Sequence, residues 1–270
     1  MKPFLKWAGN KYTLLERIKA VLPSGNRLVE PFTGAGSVFL NTHYPTYLLG
    51  ENNRELLNLY HQLMHGQEQF IHYARRFFTP DTNQAEAYYK LRDRFNNTRS
   101  LKLKAALFLY LNRHTYNGLC RFNSSGHFNA PFGKFNRIYF PEAEMLNFIA
   151  KASQAEFVEA DFLTTLTQVQ LGDVVYCDPP YVPWSPTADF TCYSGQPFSE
   201  TDQQALATKA EQLANQGIPV IISNHDTTYT RQLYQAAQVI SFPVKRLINC
   251  NGENRHKPVQ ELLAIYQPSS

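Results

Sequence analysis

The segment GDVVYCDPPYVP, residues 172–183, constrains the fold more than any other part of the chain. Its valines and Tyr176 favour a buried β-strand, and an aspartate, two prolines and a tyrosine follow with no polar spacer between them. Proline has a fixed φ and no backbone N–H, so two prolines end a strand abruptly and hold the residues around them in one conformation. The segment therefore predicts a strand whose end carries a carboxylate, two rigid carbonyl groups and an aromatic ring.

Predicted strands and helices alternate along the rest of the chain. Leu28–Glu30 is typical of a strand, a glycine turn follows it, and a helix is predicted to begin near Ser37. A second strand ends at Glu51, and three further segments are typical of buried strands, namely EFVEADF, DVVYCDPPY and IPVIISNHD. Alternation of this kind predicts an α/β fold with a mostly parallel sheet that helices cover on both faces.

The segment between the last two of these strands predicts a well-defined helix. Ser199 is its N-cap, Asp202 or Gln203 completes a capping box, and Gly217 ends it. After the last of these strands, QVISFPVKRLINCN and PVQELLAIYQ predict a final antiparallel pair.

Basic residues are concentrated in the middle of the chain. Between Lys90 and Arg137 there are ten basic residues and one acid, Asp93, a net charge of +9 in a chain whose total is +4. The same stretch is rich in asparagine, glycine and aromatic residues, which predicts an inserted segment with exposed loops and not a sheet core. A basic segment in an otherwise mildly acidic chain favours a polyanionic partner over a solvated surface of mixed charge.

The composition excludes several other classes of protein. No apolar run is long enough to span a bilayer, and MKPFLKWAGNKY is too short and too polar for a signal peptide. We therefore expect the protein in the cytoplasm or at a bacterial nucleoid. The four cysteines, at positions 120, 177, 192 and 250, have neither CxxC spacing nor an accompanying histidine pattern. This spacing favours reduced thiols over a zinc site or a disulfide framework.

The glycine turn after the first strand predicts a nucleoside-binding site. In Phe32-x-Gly34-x-Gly36 the glycines let a ligand approach the backbone closely, although a purely structural turn fits the string equally well. Glu51 ends the next strand, where a carboxylate can accept hydrogen bonds from both ribose hydroxyls. The third glycine of the dinucleotide fingerprint is missing, which favours a cofactor without a pyrophosphate.

S-adenosylmethionine (AdoMet) has this character, since it combines adenine and ribose with a methionine zwitterion and carries no phosphate. Lys11 can pair with the methionine carboxylate, and Trp7 can stack on the cofactor. Taken singly, a core aromatic for Trp7 and a surface charge for Lys11 are the more ordinary interpretations.

Several of these segments together resemble one known family. They are FLKWAGNK, LVEPFTGAGSVFLN, LFLYLNRHTYNGLCR, VVYCDPPY, ISNHD and ELLAIY, and they extend over nearly the whole chain. The chain resembles the DNA adenine-N6 methyltransferases of the GATC-specific (Dam) type. The order FxGxG, insertion, DPPY marks the alpha group of amino-methyltransferases, and YNGLCR is similar to the GATC-specific subgroup.

The resemblance implies a fold, a cofactor and a partner. The fold is a Rossmann-like AdoMet-dependent methyltransferase fold, with residues 1–56 and 145–270 as the catalytic domain. Residues 57–144 are then a mainly helical and loop insertion that recognises DNA. The implied cofactor is AdoMet without a metal, and the implied partner is double-stranded DNA bound by a monomer. Replication control, mismatch repair and restriction–modification are the implied settings.

The resemblance also implies residue roles. The implied cofactor-binding residues are Trp7, Lys11, Phe32, Gly34, Gly36, Glu51, Asp161 and Asp178. The implied DNA-binding residues are Lys6, Arg113, Tyr116, Asn117, Leu119, Arg121, Asn129, Pro131 and Lys134. Among them Arg121 is the candidate reader of a guanine, through its O6 and N7 atoms.

The chain departs from the family at four positions. Glu51 replaces the usual aspartate but still offers a carboxylate, and Asn10 replaces a common glycine. Lys134 and Phe135 replace an arginine–tyrosine pair, so the guanidinium fork and the phenol hydroxyl are lost. We expect weaker phosphate or intercalation contacts there and an unchanged target.

The segment Asp178, Pro179, Pro180 and Tyr181 is the implied catalytic site. An exocyclic adenine amine is a poor nucleophile because its lone pair is delocalised into the ring. The Asp178 carboxylate and the Pro179 carbonyl can accept its two hydrogens and expose the lone pair, and the prolines fix the carbonyl beforehand. Tyr181 offers a face on which a flipped adenine can stack, and the methyl group then transfers directly.

Three alternatives stand beside this interpretation. Cytosine-N4 and protein-glutamine methylases usually carry SPPY or NPPY, so DPPY disfavours both. An adenine methylase with a different short target, such as a restriction-associated enzyme, differs only in its recognition residues. A DNA-binding regulator that keeps the fold without catalysis is disfavoured by the intact DPPY, glycine turn and Lys11.

Overall fold

A seven-stranded sheet organises the part of the chain that the computed structural model describes, residues 1–182, 198–245 and 258–268. The strands are β1 (Arg27–Glu30), β2 (Thr46–Glu51), β3 (Ala155–Glu159), β4 (Asp173–Cys177), β5 (Val220–His225), β6 (Gln238–Lys245) and β7 (Pro258–Tyr266). Their order is β3-β2-β1-β4-β5-β7-β6. Strand β7 runs in the opposite direction to the other six strands. This confirms the predicted α/β fold with a mostly parallel sheet and a final antiparallel pair.

Helices cover both faces of the sheet. They are α1 (Leu15–Val21), α2 (Arg54–Arg75), α3 (Ala85–Asn97), α4 (Leu101–His114), α5 (Glu142–Ala152), α6 (Phe162–Leu166), α7 (Glu200–Asn215) and α8 (Thr228–Leu233). Side chains alternate between the faces along each strand, so Leu28 packs in one core with α1, α2 and α5, whereas Val29 packs in another with α6 and α7. Helix α4 packs on α2 and extends the first of these cores.

Helix α7 begins and ends as predicted. The Ser199 hydroxyl accepts from the Asp202 N–H (3.2 Å) and the Asp202 carboxylate accepts from the Ser199 N–H (2.8 Å), which completes the capping box. Gly217 follows the helix with φ +88°, a conformation that favours glycine. Because Asp202 is the capping partner, the Gln203 side chain is directed elsewhere, and it is only 1% exposed.

The helix predicted to begin near Ser37 does not form, and that prediction is wrong. The chain makes only a short 3-10 turn, Phe39–Asn41. The side chains of Asn41 and Thr42 donate to the carbonyls of Ser37 and Val38, at 2.8 and 3.0 Å. Thr42 has an extended backbone (φ −113°, ψ 166°), which ends the turn, and the two side chains bond to carbonyls that a longer helix would pair with its own N–H groups.

Residues 57–144 contain most of α2, helices α3 and α4, and a long irregular segment. Among the described residues of that segment, the β-structure consists of two isolated bridges, Thr115–Phe132 and Phe122–Phe128. The helices share the hydrophobic core of one sheet face. The irregular segment is therefore carried by α4, which rests on the sheet through α2.

No helix within the described ranges is long and apolar enough to cross a membrane. In the same ranges no group of histidine, cysteine and acidic side chains is arranged to hold a metal ion. Cys120 and Cys177 are buried free thiols, and burial raises the pKa of both well above the usual range. Cys192 and Cys250 lie outside the described residues.

Candidate active site

Asp178 lies directly beyond β4, at the edge where the parallel strands end. Its Oδ1 is 2.7 Å from Lys11 Nζ and accepts a hydrogen bond from Ser223 Oγ at 2.9 Å. No described residue bonds to Oδ2, and 20% of the side chain is exposed. Burial raises the pKa of Asp178, while Lys11 and Ser223 offset part of the rise. The carboxylate thus has one fixed oxygen and one accessible oxygen.

The two prolines present their carbonyls differently. The Pro180 carbonyl accepts a hydrogen bond from Gln203 Nε2 at 2.8 Å. The Pro179 carbonyl accepts none from any described residue. It belongs to the residue directly after Asp178 and is not occupied by any described donor.

Tyr181 is held by a hydrogen bond at its hydroxyl and by two contacts of its ring. Its hydroxyl donates to Glu261 Oε2 of β7 at 3.2 Å, and its ring meets His225 of β5 edge to face, with 4.8 Å between the centroids. Lys11 Nζ lies 4.6 Å from the ring centroid, over a face. A ring held in this way offers a flat surface beside Asp178.

Lys11 is a buried residue, with 6% of its side chain exposed. Besides Asp178, its ammonium group donates to the Gly9 carbonyl at 2.6 Å. The surface-charge interpretation of Lys11 is therefore wrong, and the residue supplies a positive charge inside the site. A buried cation with two oxygen partners is stable there because both partners are negative or polar.

The glycine turn joins Trp7 to Glu51. Gly34 and Gly36 have φ +49° and +69°, and a Cβ on Gly34 would lie 3.1 Å from Trp7 Nε1, so the indole rests against the turn. The Glu51 carboxylate accepts from the N–H groups of Gly34 (3.0 Å) and Asn53 (2.9 Å). Burial raises the pKa of Glu51, and these hydrogen bonds lower it in part. Glu51 therefore fixes the turn as well as ending β2.

Phe32 and Asp161 also lie at this edge of the sheet, just after β1 and β3. Phe32 stacks on Phe162, with 5.5 Å between centroids, and meets Phe198 edge to face at 5.6 Å. Asp161 caps α6, since its carboxylate accepts from both the N–H (2.8 Å) and the hydroxyl (3.0 Å) of Thr164. Its observed role is thus structural, and a role at the adenine of a cofactor stays a prediction.

Comparison with known proteins decides the family. A family model described as D12 class N6 adenine-specific DNA methyltransferase matches residues 7–248. The chain belongs to this family. It is 51% identical to a DNA adenine methylase of Salmonella typhi over 267 residues, 99% of this chain and 96% of that protein. The DNA adenine methylases of Escherichia coli strain K12 and Vibrio cholerae serotype O1 strain El Tor Inaba N16961 are 49% and 48% identical, with the same shares covered.

These matches confirm the predicted family, fold and class of enzyme. An adenine-specific DNA methyltransferase acts on DNA, and the family implies AdoMet as the methyl donor. The residue roles stay predictions.

The sequence-based prediction for this adenine methyltransferase does not include four residues that touch or flank Asp178–Tyr181. They are Glu30, Gln203, Ser223 and Asn224. All four are buried. Three of them are polar residues at the ends of apolar strands, LVE and VIISN, whose carboxyl ends meet at the ligand-binding edge of such sheets. That position is a signal by which they can be found in the sequence, whereas Gln203 in a helix has none.

Apart from Lys6 and Arg113, the candidate DNA-binding residues of the methyltransferase lie on two backbone segments that pair with each other. The Tyr116 N–H donates to the Pro131 carbonyl (3.1 Å), and the Asn129 N–H donates to the Arg121 carbonyl (3.0 Å). The exposed members of the set are Tyr116, Leu119, Arg121, Pro131 and Lys134. The side chain of Asn117 lies outside the described part of the structure. The pairing brings residues from both segments onto one surface.

Three basic residues of this surface have defined partners. Arg121 donates from Nε to Asn129 Oδ1 at 2.7 Å. Lys6 lies with its ammonium 4.2 Å from the centroid of the Phe135 ring and donates to the Arg113 carbonyl at 3.4 Å. Burial lowers the pKa of Lys6 and of Arg113, and the positive charge of Arg113 also lowers that of Lys6. Arg121 is thus an oriented and exposed cation, whereas Arg113 is half-buried.

Proposed function

We propose that this enzyme transfers a methyl group from AdoMet to the N6 atom of adenine in double-stranded DNA, within the sequence GATC. The adenine leaves the helix before reaction, and the enzyme acts as a monomer. The observation that carries the proposal is a pair of acceptors, Asp178 Oδ2 and the Pro179 carbonyl, that no described residue occupies. An exocyclic amine has two hydrogens to donate to such a pair.

The residues around the glycine turn fit AdoMet. A Cβ on Gly34 would crowd Trp7, so the indole lies directly against the turn, where it can stack on a cofactor. Lys11 offers a cation for a carboxylate, and Glu51 offers oxygens for hydroxyl groups. When bound, AdoMet supplies an electrophilic methyl group. We assign its binding to Trp7, Lys11, Phe32, Gly34, Gly36, Glu51, Asp161 and Asp178.

The chain's own groups prepare the amine for reaction. Asp178 Oδ2 and the Pro179 carbonyl accept the two N6 hydrogens, which favours a tetrahedral nitrogen and exposes its lone pair. Lys11 and Ser223 hold Oδ1, so the carboxylate does not rotate, and the preceding strand and prolines fix the carbonyl. Tyr181 supplies a stacking surface for the flipped base, worth about 1–3 kcal/mol. Asp178 acts as an acceptor, and a strong base is not required.

The target sequence is supported by YNGLCR and by the surface around it. Asn129 orients Arg121 by accepting from its Nε at Oδ1 (2.7 Å) and from its Nη2 at the carbonyl (3.3 Å). The remaining N–H groups of the guanidinium can donate to guanine O6 and N7. Tyr116 is 54% and Leu119 36% exposed, so both offer apolar surface to bases. We assign residues 57–144 to target recognition, and residues 1–56 and 145–270 to cofactor binding and catalysis.

The chemistry is tested with Asp178→Ala. Loss of one acceptor and of the partner of Lys11 should abolish methyl transfer, a fall of at least about a thousandfold, with the fold retained. Transfer of a tritiated methyl group to unmethylated duplex DNA measures the rate, and circular dichroism measures the fold. Asp81→Ala, at an exposed aspartate, is the control. Normal transfer by the Asp178 variant would exclude this mechanism.

The target is tested by methylation of a plasmid that lacks N6-methyladenine, mapped base by base. We expect N6-methyladenine at GATC on both strands and at no other sequence above background. Methylation confined to another short site would assign the enzyme to a different target. Absence of any methylated adenine would favour a DNA-binding regulator.

A further inference from the structure

The end of β5 lies alongside the segment that follows β4. The last three residues of β5 each form a hydrogen bond to a different group of that segment. Ser223 Oγ donates to the Asp178 carboxylate at 2.9 Å. Asn224 Oδ1 accepts from the Val182 N–H at 3.2 Å. His225 Nδ1 is 2.5 Å from the Val182 carbonyl oxygen, and because a carbonyl only accepts, Nδ1 carries the proton. Strand β5 is thus bound to both ends of the Asp-Pro-Pro-Tyr segment.

A side chain of α7 reaches the same segment. Gln203 Nε2 donates to the Pro180 carbonyl at 2.8 Å, and its Oε1 accepts from Asn224 Nδ2 at 3.2 Å. Three hydrogen bonds therefore run in one direction, from the Val182 N–H to Asn224, from Asn224 to Gln203, and from Gln203 to Pro180. This chain begins and ends on the two peptide groups that flank Tyr181.

The side-chain amides of Gln203 and Asn224 are in the interior of the protein, where an unpaired polar group is destabilising. Gln203 is 1% and Asn224 0% exposed, and an unpaired buried amide costs several kcal/mol, on the order of 2–7. Here each is paired, and Asn224 Nδ2 also donates to the Tyr234 hydroxyl at 3.0 Å. Prolines at 179 and 180 remove two main-chain donors, so side chains are left to hold this segment. A paired buried network fixes one conformation where an apolar core would not.

We infer that Gln203 and Asn224 are positioning residues for methyl transfer. They hold the peptide groups on both sides of Tyr181, and so they set the direction of the stacking ring and of the neighbouring Pro179 carbonyl. The inference rests on the proposed adenine-N6 chemistry and is independent of the GATC target. A misplacement of a reacting group by about 1 Å can cost about 100-fold in rate.

Two variants of Gln203 separate its contacts. Gln203→Met keeps the length of the side chain and removes its hydrogen bonds to Pro180 and Asn224 and the one that it accepts from the Tyr234 hydroxyl at 3.4 Å. Gln203→Glu keeps the acceptor for Asn224 and removes the donor to Pro180. Gln204→Glu, the same change on the exposed side of α7, is the matched control. Asn224→Asp keeps the acceptor for Val182 and removes the donor to Gln203.

We expect a loss in the chemical step and not in binding. The single-turnover rate of methyl transfer should fall about 10- to 100-fold in both Gln203 variants and in Asn224→Asp. The Kd values for DNA and for AdoMet should change less than about twofold, and Gln204→Glu should match the wild type. A Gln203→Met variant with an unchanged rate, or with its loss confined to Kd, would overturn the inference.

A double-mutant cycle separates positioning from general stability. In a Tyr181→Ala background, Gln203→Met should lower the rate by less than a further factor of about two, because the Tyr181 ring that Gln203 positions is gone. An equal loss in both backgrounds, accompanied by a lower Tm, would show that Gln203 acts only through stability and would reject the inference.

Measuring total N6-methyladenine tests the positioning role of Gln203 and Asn224 whatever the target sequence is. Total N6-methyladenine is measured by mass spectrometry on previously unmethylated DNA, so every methylated sequence contributes. Methylation by the wild type outside GATC would reject the target alone, and the ratios between variants and wild type would still decide the inference. A wild type that forms no N6-methyladenine would reject the chemistry and the inference with it.

Discussion

At the end of β1 the Glu30 carboxyl group is buried beside Asp178, and its Oε1 has no hydrogen-bond partner in the described part of the chain. Burial, and after it the charge of Asp178, raise the pKa of Glu30 well above its usual value, while the Phe39 N–H offsets part of the rise. Lys11 pairs with Asp178 and favours its charged form. Glu30, without a cation among the described residues, favours the neutral form.

Glu30→Gln should make stability less dependent on pH. In the folded chain the pKa of Glu30 lies above its usual 4.5, so its contribution to stability is fully present below that pH and is lost as the pH rises toward the raised pKa. Glutamine has no such proton to lose. The free energy of unfolding of the wild type should therefore fall relative to that of E30Q as the pH rises above 4.5, as measured by urea denaturation over a pH series.

The control for this prediction is Glu16→Gln. Glu16 lies in α1 with 89% of its side chain exposed, so its substitution removes the same formal charge without a buried carboxyl group. A difference between wild type and E30Q that stays constant over the whole pH range would contradict a buried neutral Glu30.

One residue of α2 has a backbone that does not suit a helix. Gln67 has φ 43° and ψ −132°, directly after Gly66, and the helix continues on both sides of this kink. For a residue with a Cβ such a conformation costs about 1–3 kcal/mol. Buried apolar residues on both sides, Leu63 and Phe70 among them, hold the two halves of the helix in place and offset this cost.

Gln67→Gly should stabilise the protein by about 1 kcal/mol, because relief of the strained backbone exceeds the added entropy of glycine in the unfolded chain. Gln69→Gly, at an exposed and regular position of the same helix, should destabilise it by about 1 kcal/mol. Urea denaturation of both variants measures the difference. Destabilisation by both would show that the kink carries no strain.

Elements whose limits depend on neighbouring residues can be predicted from the sequence. The capping box of α7 lies within Ser199–Asp202, and the prolines after β4 end that strand wherever it lies in the fold. The helix near Ser37 is the opposite case. Its spacing is helical, but hydrophobic periodicity shows neither the extended backbone of Thr42 nor the bonds of the Asn41 and Thr42 side chains to the carbonyls before them.

The candidate site can be predicted only where it is local. FxGxG and DPPY are contiguous and visible, whereas Gln203 lies 23 residues from Pro180 and 21 from Asn224 in sequence. Nothing in the spacing of a helix shows which of its polar residues will pair with a distant loop. The burial of Lys11 is likewise set by the fold, and for this reason its surface-charge interpretation is wrong.

Across the whole molecule, residues 6–11 join the proposed DNA-binding surface to the edge of the sheet proposed for catalysis. The Lys6 N–H donates to Asn112 Oδ1 at 2.9 Å, and Asn112 Nδ2 donates to the Lys6 carbonyl at 2.6 Å. Asn112 is fully buried in α4, which leads directly into the irregular segment. Trp7 and Lys11 follow within five residues, so one short segment contacts both functional regions.

Asn112→Ala should therefore weaken AdoMet binding and target discrimination together. It leaves two peptide groups of Lys6 without partners, which should cost about 1–3 kcal/mol of stability and loosen residues 6–11. The Kd for AdoMet and the ratio of methylation at GATC to that at sites with one changed base are the measurements. Asn58→Ala, which removes a hydrogen bond from α2 to the Leu101 carbonyl of α4, is the control and should leave both unchanged. Loss of stability in N112A with both quantities intact would show that the two regions are independent.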